Sequence, residues 1–167
     1  SQELARRMEQ NSDYIEKIGY IALLHDCGKL GIPDSVLSKP SRLEADERRK
    51  IEEHTRLGGE MLKNFTAIEQ IKDGALYHHE RYDGSGYPEG LKGEQIPLCA
   101  RIIAVADAYD AMNSKRIYRD NLKPERIRRE LINGRGTQFD AEILDAFIEL
   151  RVSIKTFLGE ECSDVIN

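Results

Sequence analysis

The run His78-His79-Glu80-Arg81-Tyr82-Asp83-Gly84-Ser85-Gly86-Tyr87-Pro88 joins two adjacent imidazoles and a carboxylate to a turn of glycine and proline. Adjacent histidines at a helix end are poor core residues, because each buried ring needs partners for both nitrogens. They are good metal ligands, since a neutral imidazole gives one nitrogen to a cation while the other hydrogen-bonds outward. The remaining histidines are His25, followed directly by Asp26, and His54. Asp107 lies in the apolar run Ile102-Ile103-Ala104-Val105-Ala106-Asp107-Ala108, where an ionised carboxylate is costly unless a cation or strong donors compensate it. Taken singly, each histidine is as well explained by a satisfied core or surface role. The joint pattern favours a metal site. Imidazole and carboxylate donors without thiolates suit iron, manganese or zinc. Asp26 has two oxygens with which to bridge two cations, and metals about 3.5–4 Å apart are a recurrent device for hydrolysing phosphate esters.

The rest of the composition bounds what could surround such a site. At 167 residues the chain is long enough for one well-buried core. Its 40% apolar and 33% charged residues are those of an ordinary globular domain. No apolar run approaches the roughly 18 residues of a membrane helix, and none near Ser1 resembles the core of a signal peptide. Cys27, Cys99 and Cys162 are odd in number and lack paired spacing, against a disulfide framework or zinc ribbon. A reducing cytoplasm is therefore expected. The net charge of −5 disfavours a broad nucleic-acid-binding face, so no DNA partner is expected.

The elements that must position these residues read as helices throughout. Residues 1–10 resemble the end of a helix, with Leu4 and Met8 one turn apart. Ser12 or Asp13 should cap a second helix, with Glu16 completing a capping box with Asp13. Its face of Ile15, Ile18, Ala22 and His25 delivers His25 and Asp26 inward at the C-terminal end. Residues 28–43 form a loop limited by Pro33 and Pro40. A third helix is expected from Glu44 to Lys63, with Ile51, His54, Leu57 or Gly58, and Met61 inward. Gly58 and Gly59 cost about 1 kcal/mol each there against alanine, so another backbone should pack closely on them.

A fourth helix, Ala67 to Arg81, aligns Ile68, Ile71 and Ala75 with His78 or His79. After the loop from Asp83 to Pro97 comes a fifth, buried nearly all round and carrying Asp107. Asn113 to Arg119 is a basic connection. Pro124 suits the first turn of a sixth helix that ends at Gly134. Asp140 caps a seventh, with Phe139 and Leu144 placed for a hydrophobic staple. No strand alternation appears. The fold expected is an all-α bundle of about seven helices.

Read together, these segments resemble the HD-GYP family, a branch of the HD phosphohydrolase superfamily. The resemblance rests on His25-Asp26-Cys27-Gly28-Lys29-Leu30-Gly31-Ile32-Pro33-Asp34, on His54 with Gly58, and on His78 through Pro88. It continues through Gly90-Leu91-Lys92-Gly93-Glu94-Gln95-Ile96-Pro97, Ala106-Asp107-Ala108-Tyr109-Asp110-Ala111 and Gly136-Thr137-Gln138-Phe139-Asp140, covering essentially the whole chain.

The resemblance implies an HD-type helical bundle and metal-dependent hydrolysis of cyclic di-GMP to pGpG or GMP in bacterial signalling. It implies His25, Asp26, His54, His78, His79 and Asp107 as metal ligands, for two or three divalent ions, iron or manganese. Lys29 would contact the scissile phosphate and, with Asp26, serve catalysis; Arg116 and Arg119 would grip phosphate. Glu80 would either orient a ligand or form a surface salt bridge. The turn Gly84–Pro88 would wall the site, and the family suggests contact there with cyclase-type (GGDEF) partner domains.

Family members usually carry a further histidine before the His-Asp pair, whereas none precedes His25 here. The chain is accordingly expected to be a single HD-GYP domain, 1–167, lacking its most N-terminal helix or part of it. Cys27 stands where an aliphatic residue is commoner, and Ile117 where the family has proline. The alternatives to the enzyme are an inactive binding or scaffold module of the same fold, and an HD phosphohydrolase for another nucleotide.

Overall fold

The computed structural model describes residues 1–114 and 123–151 in full and the backbone of 152–157. Among these residues the chain is all-α: α1 (Gln2–Arg7), α2 (Ser12–Leu24), α3 (Asp34–Leu37), α4 (Ala45–Glu52), α5 (His54–Leu62), α6 (Ile71–Tyr77), α7 (Leu98–Asn113), α8 (Pro124–Asn133) and α9 (Ala141–Phe157). Short 3-10 turns at Cys27–Gly31 and Gly93–Gln95 interrupt the connections. No helix among the described residues is long and apolar enough to cross a membrane.

Helix α7 is the axis of the core. Cys99, Ala100, Ile102, Ile103 and Val105 are all buried on it. Ile18 and Ile21 of α2, Ile71 of α6, Ile127 and Leu131 of α8, and Ile143, Leu144 and Phe147 of α9 pack into the same cluster. Leu4 and Ala5 join it from α1. Helices α2 and α6 cross at Gly74, where a Cβ would lie 2.1 Å from Ile21 Cγ2. Arg101 of α7 donates from Nη1 to Asp140 Oδ2 at 2.6 Å and from Nε to the Ile96 carbonyl at 2.9 Å, tying α7 to the start of α9.

Several element boundaries fall as expected. Pro97 is the cap residue before α7, Pro124 stands in the first turn of α8, and Gly134 ends it. Asp140 caps α9, its Oδ1 accepting from the amide of Glu142 at 2.9 Å, while Phe139 and Leu144 are both buried in the core.

Other boundaries differ. The cap of α2 is Asn11, whose Oδ1 accepts from the Tyr14 amide at 2.8 Å, so neither Ser12 nor Asp13 performs that role. The expected third helix is divided at Glu53 into α4 and α5. There His54 Nδ1 donates to the Ile51 carbonyl at 2.5 Å and Thr55 Oγ1 to that of Glu52 at 3.0 Å. Side chains that take carbonyls three residues back compete with the regular backbone ladder. Helix α6 starts at Ile71 rather than Ala67, because Gln70 has a φ of 63°, which no right-handed helix admits. Met61 is half exposed rather than inward.

Candidate metal centre

The His-Asp pair sits where α2 turns into the 3-10 segment, and a glycine contact fixes that turn against α5. A Cβ on Gly28 would lie 1.9 Å from the His54 carbonyl oxygen and 2.5 Å from the Gly58 nitrogen. Gly58 in turn faces Ala75 of α6 and the Gly28 nitrogen, and Gly59 faces Leu76. The close backbone approach expected at Gly58 and Gly59 is thus present at Gly58, against Gly28, whereas Gly59 meets the Leu76 side chain. It brings the end of α2, the start of α5 and the end of α6 to one place. His25, His54 and the pair His78-His79 occupy those three ends, and Asp107 comes from the middle of α7.

Asp26, His54, His78 and His79 each offer a ligand atom, all within 4.8 Å of one another. Asp26 Oδ1 lies 3.4 Å from His54 Nε2 and 3.7 Å from His78 Nε2. Its Oδ2 faces the other way, 3.4 Å from His25 Nε2 and in contact with Lys29 Nζ. His25 Nε2 is 3.8 Å from Asp107 Oδ1. Asp107 keeps about a third of its side chain exposed (35%), so it opens into the site instead of being sealed in the core as its apolar run suggests.

The imidazole tautomers follow from local hydrogen bonds. His25 Nδ1 donates to the Ala22 carbonyl at 2.6 Å, His54 Nδ1 to Ile51, and His78 Nδ1 to the carbonyls of Gly74 and Ala75 at 3.0 Å each. A neutral ring that donates from Nδ1 leaves Nε2 a bare acceptor. Buried Nε2 of His25 and Oδ1 of Asp26 have no hydrogen-bond partner. Imidazole nitrogens and carboxylate oxygens gathered in one place, two of them buried and unpartnered, are a donor set that a divalent cation satisfies. The residues present fit a metal ion.

The electrostatics agree. Burial works against the charge on Asp26, but His25, His78 and Lys29 outweigh it and hold the carboxyl well below the ordinary range. Asp107 is likewise lowered, with burial overcome by His25 and His79. Burial lowers His54, and the neighbouring His78 adds to that. Burial together with His78 and His54 pushes His79 down to about 3, so its ring is neutral across physiological pH. His25 is the exception: burial opposes its protonation, yet Asp107 and Asp26 push it up to about 10.

Lys29, 44% exposed, stands at the rim of this cluster, paired with Asp26. Arg116 and Arg119 lie outside the described residues. Glu80 forms no surface salt bridge among the described residues. It is buried, and accepts from three successive backbone amides, Glu89 and Gly90 on Oε1 at 2.7 and 3.1 Å and Leu91 on Oε2 at 3.1 Å.

Tyr87, left without a chemical role by its sequence, stacks on the His79 ring with centroids 5.0 Å apart. Burial, reinforced by the Glu52, Asp26 and Asp107 carboxylates, raises its phenol, which remains neutral. The turn Gly84–Pro88 is therefore a wall of the cluster. The only sequence signal for Glu80 was its position between the ligand pair and a glycine-rich turn full of amides needing acceptors.

Comparison with known proteins gives this arrangement a context. A family model described as an HD domain matches residues 1–143. The cyclic di-GMP phosphodiesterase response regulator RpfG of Xanthomonas campestris is 42% identical over 160 residues, covering 94% of this chain and 42% of that protein. A cyclic di-GMP phosphodiesterase of Thermotoga maritima is 39% identical, covering 92% of this chain and 42% of its own. A crystal structure of a cyclic GMP-AMP specific phosphodiesterase from V. cholerae shares the fold, with a TM-score of 0.67 at 21% identity over 98% of this chain and 44% of that one. The chain spans less than half the length of these relatives.

Proposed function

This chain belongs to the HD domain family, in its HD-GYP branch, and from that premise we propose that it is a metal-dependent phosphodiesterase that hydrolyses cyclic di-GMP to pGpG or onward to GMP. The observation that carries the reading is the convergence of imidazole and carboxylate groups on the two sides of Asp26. The names of relatives such as RpfG supply the substrate.

In this reading His25, Asp26, His54, His78, His79 and Asp107 hold two or three divalent ions, iron or manganese. Asp26 divides its oxygens between His54 and His78 on one side and His25 on the other, which suits a ligand shared by two ions. When bound, the ions supply Lewis acidity toward water and the phosphodiester. Lys29 is the chain's own contribution at the phosphate. Its ammonium already lies beside Asp26 and reaches solvent, where it can meet a non-bridging phosphate oxygen and offset charge that grows in the transition state. Arg116 and Arg119 are proposed to bind phosphate from the basic connection after α7. The reading includes a cytoplasmic setting, which the free Cys27 and Cys99 thiols support, and GGDEF-type partners at the turn Gly84–Pro88.

Anaerobic purification with metal analysis, followed by a cyclic di-GMP hydrolysis assay with Mn²⁺ or Fe²⁺, tests the proposal. Turnover in the parent and none in Asp107→Ala supports it. Hydrolysis that persists in Asp107→Ala, or a substrate panel in which only another cyclic dinucleotide is cut, overturns it.

A further inference from the structure

Four imidazoles face the centre, and three are fixed in the same way. His25, His54 and His78 each donate from Nδ1 to a carbonyl three or four residues back, which sets both tautomer and ring plane. His79 has no such bond: among the described residues neither of its ring nitrogens has a hydrogen-bond partner. Its ring lies instead among those of His78 and His54, with centroids 4.2 and 5.1 Å away, and that of Tyr87, which is stacked on it with an interplanar angle of 30° and whose amide donates to the His79 carbonyl at 3.3 Å.

Tyr87 belongs to a segment that doubles back over the residue following His79. A Cβ on Gly86 would lie 2.3 Å from the Arg81 nitrogen and 2.6 Å from Glu80 Cα, so the chain reverses directly on top of the ligand pair's own backbone. The far limb of this reversal ends at Glu89, Gly90 and Leu91, whose three amides all donate to the buried Glu80 carboxylate. Arg56 of α5 donates to the Pro88 carbonyl at 2.9 Å from the outside. A buried carboxylate without a cation beside it is costly, and three amide donors compensate that cost only while the segment stays closed.

We propose that Glu80 is a positioning residue for His79: its carboxylate closes the segment 84–91, and the closed segment lays Tyr87 on the His79 ring in place of the Nδ1 hydrogen bond that the other histidines have. The inference rests on the metal-centre reading for its consequence, since an orienting partner matters to a ligand through metal affinity. Orienting groups behind metal ligands typically change that affinity 10–100-fold.

Glu80→Gln tests it, because the amide keeps the size of the carboxylate but turns an NH₂ donor toward backbone N–H donors. Co²⁺ titration of the metal-free protein, read by cobalt absorption, is expected to show affinity about ten-fold weaker in Glu80→Gln and in Tyr87→Leu. Tyr87→Phe, which keeps the ring, restores it. The double variant is expected to be no worse than the weaker single one, because both act through one contact. In metal-free protein with ¹⁵N-labelled histidine, the His79 ring signals shift in Glu80→Gln and Tyr87→Leu, while those of His25 stay in place.

Parent-like affinity and His79 signals in Glu80→Gln, or losses that add in the double variant, overturn the proposal and leave the metal reading standing. Failure of the parent protein itself to bind Co²⁺ overturns both. If Glu80→Gln does not fold by circular dichroism, Tyr87→Leu decides alone, and unchanged His79 signals in it overturn the assignment.

Discussion

His54 Nε2 and His78 Nε2 face each other at 3.3 Å, while each ring donates its Nδ1 proton to a backbone carbonyl three residues back. Asp26 Oδ1 lies beside both nitrogens, at 3.4 and 3.7 Å, so three metal-ligating atoms share one spot. A cation placed there would be met by all three at once.

Metal should therefore stabilise the fold, whatever it does in the proposed hydrolysis. At free metal 100 times the dissociation constant, linkage gives about 2.7 kcal/mol, or a rise in Tm of about 5–10 °C for a domain of this size. Calorimetric scans with Mn²⁺ and with a chelator check this. Identical melting curves would remove the site from the account.

Metal uptake should release protons. His25, held at about 10 by Asp107 and Asp26, is protonated at neutral pH and must shed that proton to become a ligand. Affinity is thus expected to rise from pH 6.5 toward 10, with close to one proton released per site at pH 7.5. Titration calorimetry in two buffers of different ionisation enthalpy measures it. The metal-free fold behaves oppositely. Because the folded pKa lies above the ordinary 6.5, the stabilisation from His25 is complete below pH 6.5 and disappears as pH rises through 10.

Gly28→Ala should be strongly destabilising. Its Cβ would meet backbone atoms, the His54 carbonyl oxygen and the Gly58 nitrogen, and neither can move without shifting α5. A loss of about 3 kcal/mol or more in urea unfolding is expected, with weaker metal binding in whatever remains folded. A cost below about 0.5 kcal/mol would mean that the turn and α5 are not packed this way.

Breaking the Arg101–Asp140 pair should cost about 3–5 kcal/mol, because Arg101→Met leaves a buried carboxylate without its cation. The centre is untouched, so metal content per folded molecule should match the parent. Denaturant midpoints and metal analysis of the same samples test both halves.

Lys29→Met should separate binding of metal from turnover. The variant is expected to keep its metal and lose on the order of 10²-fold in kcat, the size typical of one transition-state donor. Equal kcat in the two proteins would return Lys29 to the role of a rim charge on Asp26.

Much of this molecule follows from local chemistry. Asn11, not Ser12 or Asp13, caps α2, but Pro124, Gly134 and Asp140 mark their boundaries as their types dictate. Glycines at 58 and 59 in mid-helix imply a close backbone neighbour, and Gly28 is that neighbour at Gly58, while at Gly59 a side chain, Leu76, fills the place. The Nδ1 bonds of His25, His54 and His78 also span only three or four residues, so they follow once a histidine sits at a helix end. The break at Glu53 and the late start of α6 were not legible, because they turn on a side-chain bond at Ile51 and on one left-handed residue.

By itself the sequence determined the donors: four imidazoles and two carboxylates, their order, and the all-α elements that carry them. It could do so because helix periodicity and capping are set by residues within a turn or two of each other. Only the tertiary structure decided which oxygen of Asp26 faces which histidine, that Asp107 opens into the site, and that Glu80 holds amides nine to eleven residues away. Those relations depend on how distant backbones stack and on the direction of hydrogen bonds across them, which no local pattern encodes.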